Sequence, residues 1–316
     1  MKRLIQTLLG LFVLIWIFHA LKMDVTTLYN RLSHPRYLLV DLAVPCLVYF
    51  ISANRWNLFL RQVGIRENLI TLIKLNLMSV FQGLVIPSSQ GFDVVRIYYI
   101  EKRHPEFRGK AGGTVIIERI LGFAILCLLS LFFSLFNKTL PNKDQIVTVI
   151  SIISISLFAC LLVMFNKKLC LYLPSLYEKH KRLNRFLSYI SKVHIALVSF
   201  QYKKILLSSV VLILLFQFLT ILSVCFVFNA YGCFISIFTH IIIYPIISIL
   251  SMVPITFSGI GMREGFFVFF YSQLGVPADI CVIVSLVNYL IIVLLPAIIG
   301  FILYMADILK KERTIL

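Results

Sequence analysis

The sequence predicts an all-α polytopic membrane protein forming a single domain over residues 1–316, and three observations carry that expectation. Hydrophobic residues make up 60% of the chain against 14% charged, whereas soluble domains sit nearer half and a quarter. Mean hydropathy is +0.97. The apolar residues run unbroken over lengths near the roughly 20 that a spanning helix needs, which excludes the alternating strands of an outer-membrane barrel.

Six stretches read as full spans. Leu4–Leu21 follows Lys2 and Arg3 without a small-residue cleavage site after it, so an uncleaved first helix is expected rather than a signal peptide. Tyr37–Ala53, Ile120–Phe136, Ile146–Phe165, Ile205–Phe228 and Ala278–Met305 complete the set. Two further apolar regions are interrupted. Leu75–Val95 contains Gly83, Pro87 and Gly91, and Phe234–Gly275 contains Pro245, Pro254, Gly259 and Gly261 with the Arg263-Glu264 pair. Each is expected to form a broken re-entrant hairpin, because irregular backbone is tolerated at membrane depth where it lines a cavity.

Basic residues set the orientation. With the N-terminus cytoplasmic and each hairpin returning to its starting face, only Lys22, Arg31, Arg36, Lys138, Lys143 and Arg263 lie outside, leaving 24 of the 30 Lys and Arg inside. A single crossing by Leu75–Val95 would put the basic residues from Arg96 to Arg119 outside and invert the rest of the chain. The expectation is therefore about six full spans plus two re-entrant hairpins of opposite orientation, the pattern of an inverted repeat, with both termini cytoplasmic in the inner membrane. No repeat is visible in residue identity.

Within 175–204, Leu183, Phe186, Leu187, Ile190, Val193, Leu197 and Phe200 recur at helical spacing with Lys and Arg on the other face. This segment is expected to lie as an amphipathic helix on an anionic lipid surface on the cytoplasmic side. The net charge of +17 would point to nucleic acid in a soluble protein. In a membrane protein it reflects sidedness, and no nucleic-acid partner is expected.

Candidate functional residues cluster at the breaks. From Pro87 to Arg96, proline and Gly91 leave backbone groups without helical partners. Asp93 and Arg96, three apart, share a helix face and can pair there, either as a self-satisfied turn or as part of a ligand site. From Pro254 to Gly265, Gly259 and Gly261 allow close backbone approach, and a glycine-rich turn opening a helix is an anion seat. Arg263 beside it offers a planar fork of donors to a phosphate, with Glu264 adjacent. Glu118-Arg119, expected at the cytoplasmic edge of the span Ile120–Phe136, reads either as an interfacial anchor or as cavity wall. Asp41 and His240 are candidates for a proton-linked step or for ordinary hydrogen bonds between helices. Seven scattered Cys, without C-x-x-C or His at metal spacing, read as buried hydrophobes, so no metal or other cofactor is expected. No P-loop, G-x-S-x-G, H-E-x-x-H or dinucleotide fingerprint occurs.

Taken in order, Gly91, Asp93 and Arg96, then Glu118-Arg119-Ile120-Leu121-Gly122, then Pro254-Ile255-Thr256 with Gly259-Ile260-Gly261 and Arg263-Glu264-Gly265, and finally Gly275-Val276-Pro277, resemble the lysylphosphatidylglycerol synthase transmembrane region. This is a flippase-like family, and the resemblance covers nearly the whole chain. The chain departs from the family at Ser88, Ser89, Gln90 and Phe92, where more glycines are common. The resemblance implies re-entrant hairpins around a lipid-accessible cavity and movement of aminoacylated or other lipid-linked compounds between leaflets. In full-length synthases a separate soluble domain attaches the amino acid, and an end at Leu316 leads to the expectation that this domain is absent.

The expected function is a lipid translocase. A phosphate-bearing headgroup is expected to be bound by Gly91, Asp93, Arg96, Glu118, Arg119, Gly259, Gly261, Arg263 and Glu264. Two alternatives stay open: a membrane-embedded transferase using Asp93 or Glu264 as base, and a non-transporting scaffold for a lipid-modifying enzyme.

Overall fold

The computed structural model describes residues 29–84, 86, 91–136, 143–164, 202–251 and 260–313, and all regular structure among them is helical. In chain order the helices are α1 (Arg36–Asp41), α2 (Val44–Gln62), α3 (Leu69–Gly83), α4 (Gly91–Arg103), α5 (Lys110–Phe136) and α6 (Lys143–Met164). They continue with α7 (Tyr202–Ala230), α8 (Ile237–Leu250), α9 (Met262–Tyr271), α10 (Ala278–Tyr289) and α11 (Leu295–Arg313), a π-turn at Leu290–Leu294 joining the last two.

Arg36–Gln62, Lys110–Phe136, Leu207–Ala230 and Ala278–Leu309 are each long and apolar enough to cross a membrane. They coincide with four of the six expected spans. The fifth expected span falls on α6, a helix of 22 residues. The sixth, Leu4–Leu21, and the expected surface segment 175–204 lie outside the described residues. Large side chains such as Leu128, Phe132, Leu135, Ile152 and Ile155 point outward, as a lipid-facing surface requires and a water-facing one disfavours.

Two pairs of short helices fold back on themselves. α3 begins at Asn68, whose carboxamide oxygen accepts from the Ile70 N–H (3.2 Å), and its far end meets the start of α4. There the backbones cross closely, so a β-carbon on Gly91 would stand 2.5 Å from the Gly83 carbonyl oxygen. At the open end of this hairpin Arg103 Nε donates to Glu67 Oε1 (2.7 Å), and His104 Nε2 lies 3.0 Å from the same oxygen. Glu67 is partly buried, which pushes its carboxyl up, but the hydrogen bonds from Arg103 and His104 outweigh that and hold it below its ordinary 4.5. α8 and α9 form the second hairpin, with Tyr244 against Phe267 and His240 Nδ1 2.9 Å from the Tyr271 hydroxyl.

The open ends of the two hairpins lie at opposite ends of the bundle. α7 ends where the Ser33 and His34 N–H groups donate to the Ala230 carbonyl (3.0 and 2.8 Å), and Arg31 pairs with Asp279 at the start of α10 (2.9 Å). The open end of α8–α9 follows α7 at that same end, while Glu67 follows α2 at the other.

The core follows this layout. Phe228, His240, Phe267 and Tyr271 stack where α7, α8 and α9 meet, and Trp56, Leu60, Leu72 and Ile100 join α2 to the first hairpin. α11 lies along α3, tied by Phe301 on Phe81 and by a Lys74–Asp307 ion pair.

Candidate anion cavity between the hairpin tips

Three arginines and two carboxylates from α2, α4 and α5 form one buried network. Glu118 Oε1 accepts from Arg55 Nε (2.9 Å) and Nη2 (2.5 Å), and its Oε2 accepts from Arg96 Nη2 (3.0 Å). Arg96 also reaches Asp93 Oδ1 (3.1 Å), whose carboxylate takes a two-pronged contact from Arg119, Nε to Oδ2 at 2.5 Å and Nη2 to Oδ1 at 3.1 Å. Each guanidinium also lies on an aromatic face: Arg55 on Phe216 (4.5 Å), Arg96 on Trp56 (4.7 Å) and Arg119 on Phe92 (4.7 Å). Such contacts are strongest when water is excluded, and Glu118 and Arg96 are only 1% and 2% exposed. Three guanidiniums against two carboxylates leave one net positive charge.

The second charged group sits at the tip of the other hairpin. Gly261 precedes α9 with φ 84°, a conformation that glycine adopts without strain. Its N–H donates to Glu264 Oε2 (2.6 Å), which orients the carboxylate back over the helix start. Glu264 Oε1 accepts from Arg263 Nε (3.1 Å), Arg263 Nη2 (2.5 Å) and the Ser285 hydroxyl (2.9 Å). Arg263 in turn lies 4.3 Å from the Tyr289 ring centre.

Residues flanking both turns line one cavity of about 280 Å³. Its wall takes Gly83, Gly91 and Phe92 from the first hairpin and Tyr244, Ser251 and Arg263 from the second, with Arg55 and Glu118-Arg119 closing it from α2 and α5. Phe216, Gln217 and Thr220 of α7, Tyr289, and Ile292 and Val293 of the π-turn are also on it. The charged side chains on this wall are Arg55, Arg119, Arg263 and Glu118, so the cavity is net positive within an otherwise mostly apolar lining. An anionic group with an apolar attachment fits those surroundings, because a desolvated guanidinium gains most from a charged acceptor.

The residues anticipated from sequence are largely brought together. Gly91, Glu118, Arg119 and Arg263 are on the cavity wall, Asp93 and Arg96 stand behind Arg119 and Glu118, and Gly261 and Glu264 position Arg263. Gly259 lies outside the described residues, as do Pro87–Gln90 and 252–258. The expected Asp93–Arg96 pair forms, but Asp93 is shared with Arg119. One placement needs correction. Glu118-Arg119 do not open their helix, because α5 begins at Lys110 and packs Ala111, Gly112 and Gly113 into the interior first. At 1.5 Å per residue that puts the pair about 12 Å into the helix. Its start is capped instead by Glu101, which accepts from the Gly109 N–H (2.8 Å) and Gly112 N–H (3.3 Å).

Sequence reasoning missed Arg55 as a site residue, counting it only among the 24 cytoplasmic Lys and Arg. Its signal was its place in an apolar helix, seven residues after Val48 and four before Phe59, both buried.

The family model described as "Lysylphosphatidylglycerol synthase TM region" matches residues 3–300. Among curated proteins, the chain is similar to a UPF0104 membrane protein of Methanocaldococcus jannaschii, 24% identical over 297 residues covering 89% of this chain and 87% of that one. It is also similar to a UPF0104 membrane protein of Methanothermobacter thermautotrophicus, 25% identical over 287 residues covering 83% and 82%. No solved structure matches it significantly.

Proposed function

Because the chain belongs to the lysylphosphatidylglycerol synthase TM region family, we propose that it is a lipid translocase of the cytoplasmic membrane, its cavity receiving the phosphate of an anionic or lipid-linked headgroup. The observation that carries this reading is the cavity wall, where Arg55, Arg119 and Arg263 outnumber Glu118 between two hairpin tips. In this reading α3–α4 and α8–α9 are re-entrant hairpins of opposite orientation, with both termini cytoplasmic. Their lengths support it. Fifteen residues in α3 and ten in α9 reach about 22 and 15 Å, short of a hydrocarbon core of about 30 Å.

The translocation step is an exchange of anions. Asp93 and Glu264 hold Arg119 and Arg263 while the cavity is empty of lipid, and an arriving phosphate takes over part of each guanidinium. The exchange leaves no charge uncompensated at depth, where an unpaired one costs at least about 3 kcal/mol. Acyl chains remain in lipid beside the apolar helices as the headgroup passes.

The transferase alternative is less well supported. A general base must reach its substrate, and neither Asp93 nor Glu264 is on the cavity wall, each standing behind the arginine it holds. The test is lipid movement in proteoliposomes, read by quenching of a fluorescent phospholipid. Arg263→Ala is expected to lose transport while keeping wild-type expression and topology. Undiminished transport in Arg263→Ala refutes the role, and chemical conversion of the lipid in detergent refutes translocation as the sole activity.

A further inference from the structure

The second buried polar cluster is independent of the arginine network. Asp41, at the end of α1, is fully buried. Its Oδ2 accepts from the Ser223 hydroxyl of α7 (3.0 Å), and Ser223 accepts from Asn288 Nδ2 of α10 (2.8 Å). The donors all run one way, from amide to hydroxyl to carboxyl. Asp41 Oδ1 has no hydrogen-bond partner among the described residues.

No cation offsets this carboxyl within the described residues. On its own helix Arg36 sits at the exposed start, stacked on Tyr37, and on α2, which packs against α1, the Cys46 thiol is exposed and the Tyr49 hydroxyl is turned to the Ile292 carbonyl. On α7 the group facing it is the Ser223 hydroxyl, and the nearby Cys225 thiol accepts from Asn229. On α10 Asn288 faces the cluster, while Asp279 is held by Arg31 and Tyr289 is turned to the cavity. The acidic groups of the arginine network are all paired, and Asp41 is not. A carboxylate in that position would carry its charge without compensation, which the interior of a helical bundle strongly disfavours.

We propose that Asp41 is an intramembrane proton-binding site, neutral in this structure, and that its protonation state is linked to the anion cavity through Ser223 and Asn288. The link rests on the proposed cavity function and on one stretch of chain. Asn288 is followed directly by Tyr289, which lies under Arg263, and then by the π-turn whose Ile292 and Val293 line the cavity. Tyr49 of α2 donates to the Ile292 carbonyl within that turn (3.2 Å). Single π-turns inside α-helices recur at functional sites, and this one sets an irregular register directly beside Asn288. Loss of the proton would give Asp41 a full charge and pull the Ser223 and Asn288 donors toward it, shifting α10 against the cavity wall.

Infrared titration of the purified protein in lipid bilayers tests the site without any transport assay. Wild type is expected to show a protonated carboxyl band at neutral pH that Asp41→Asn removes. Ser223→Ala, a milder change should the first variant misfold, shifts its frequency. A spectrum unchanged in both variants refutes the site, and a band abolished by sodium at constant pH makes it a metal-cation site instead. Short-chain phosphatidate, added as a probe, is expected to shift the band in wild type and not in Asn288→Ala. Bound phosphatidate with an unmoved band refutes the link. Failure of phosphatidate to bind overturns the cavity reading and the link together, and leaves the Asp41 band as evidence for the proton site.

Discussion

Replacing Glu118 with Gln removes one charge from the centre of the arginine network. Glu118 is 1% exposed and accepts three hydrogen bonds, two from Arg55 and one from Arg96. The amide keeps one acceptor oxygen and turns an NH2 toward a guanidinium, so the network goes from one net positive charge to two with a repulsive contact added. Breaking a buried ion pair by removing one partner costs about 3–5 kcal/mol. At roughly 2 °C per kcal/mol for a larger domain, the thermal midpoint in detergent should fall by roughly 6 °C or more. The control is Glu67→Gln, which breaks an ion pair of the same types where Arg103 is half exposed, and such pairs are worth about 0.2–1 kcal/mol. Adding Arg55→Leu to Glu118→Gln restores the original net charge and is expected to recover part of the loss. If Glu118→Gln costs no more than Glu67→Gln, the buried network is not holding α2, α4 and α5 together and the reasoning fails.

Three further outcomes follow from the same geometry. Gly91→Ala places a β-carbon 2.5 Å from the Gly83 carbonyl oxygen and 2.7 Å from Ile86 Cβ, so the first hairpin must open. A loss of about 1–3 kcal/mol is expected, read as a lower thermal midpoint. Glu67 has its carboxyl held below 4.5, so its pairing stabilises the fold above that pH and is lost as pH falls through the depressed native value. Glu67→Gln should therefore flatten the acid limb of the stability profile by lowering stability at neutral pH by about 0.2–1 kcal/mol, while the acid end stays nearly unchanged. Ser285→Ala removes a hydrogen bond to Glu264 and one from Arg263. It is expected to weaken transport several-fold without altering expression, read in the proteoliposome assay.

What the sequence made legible was whatever depends on neighbours along the chain. Apolar runs marked four stretches long and apolar enough to cross a membrane, and Gly83 and Gly91 marked the close approach of α3 and α4, because both effects act within a few residues. The Asp93–Arg96 pair was readable for the same reason, being three residues apart on one helix. Pairings between helices were not readable. Arg119 on Asp93 and Arg55 on Glu118 join residues 26 and 63 positions apart, and nothing local distinguishes these partners from others. Arg55 falls just past the expected span Tyr37–Ala53 and so counts as a cytoplasmic charge, because an arginine near a span's end usually snorkels to water. Here Phe216 and Glu118 enclose it instead. The start of α5 was misplaced because Ala111, Gly112 and Gly113 are not strongly apolar, although their small size is what lets the helix pack there.

The central claim is that the cavity between the hairpin tips holds a phosphate-bearing headgroup. Its most direct test is mass spectrometry of the lipids that co-purify with wild type, Arg119→Ala and Arg263→Ala, each compared with the bulk membrane extract. Enrichment of one phosphate-bearing lipid in wild type, lost in both variants, is the predicted result. Three samples that all mirror the bulk membrane would contradict the anion seat and favour a non-transporting scaffold.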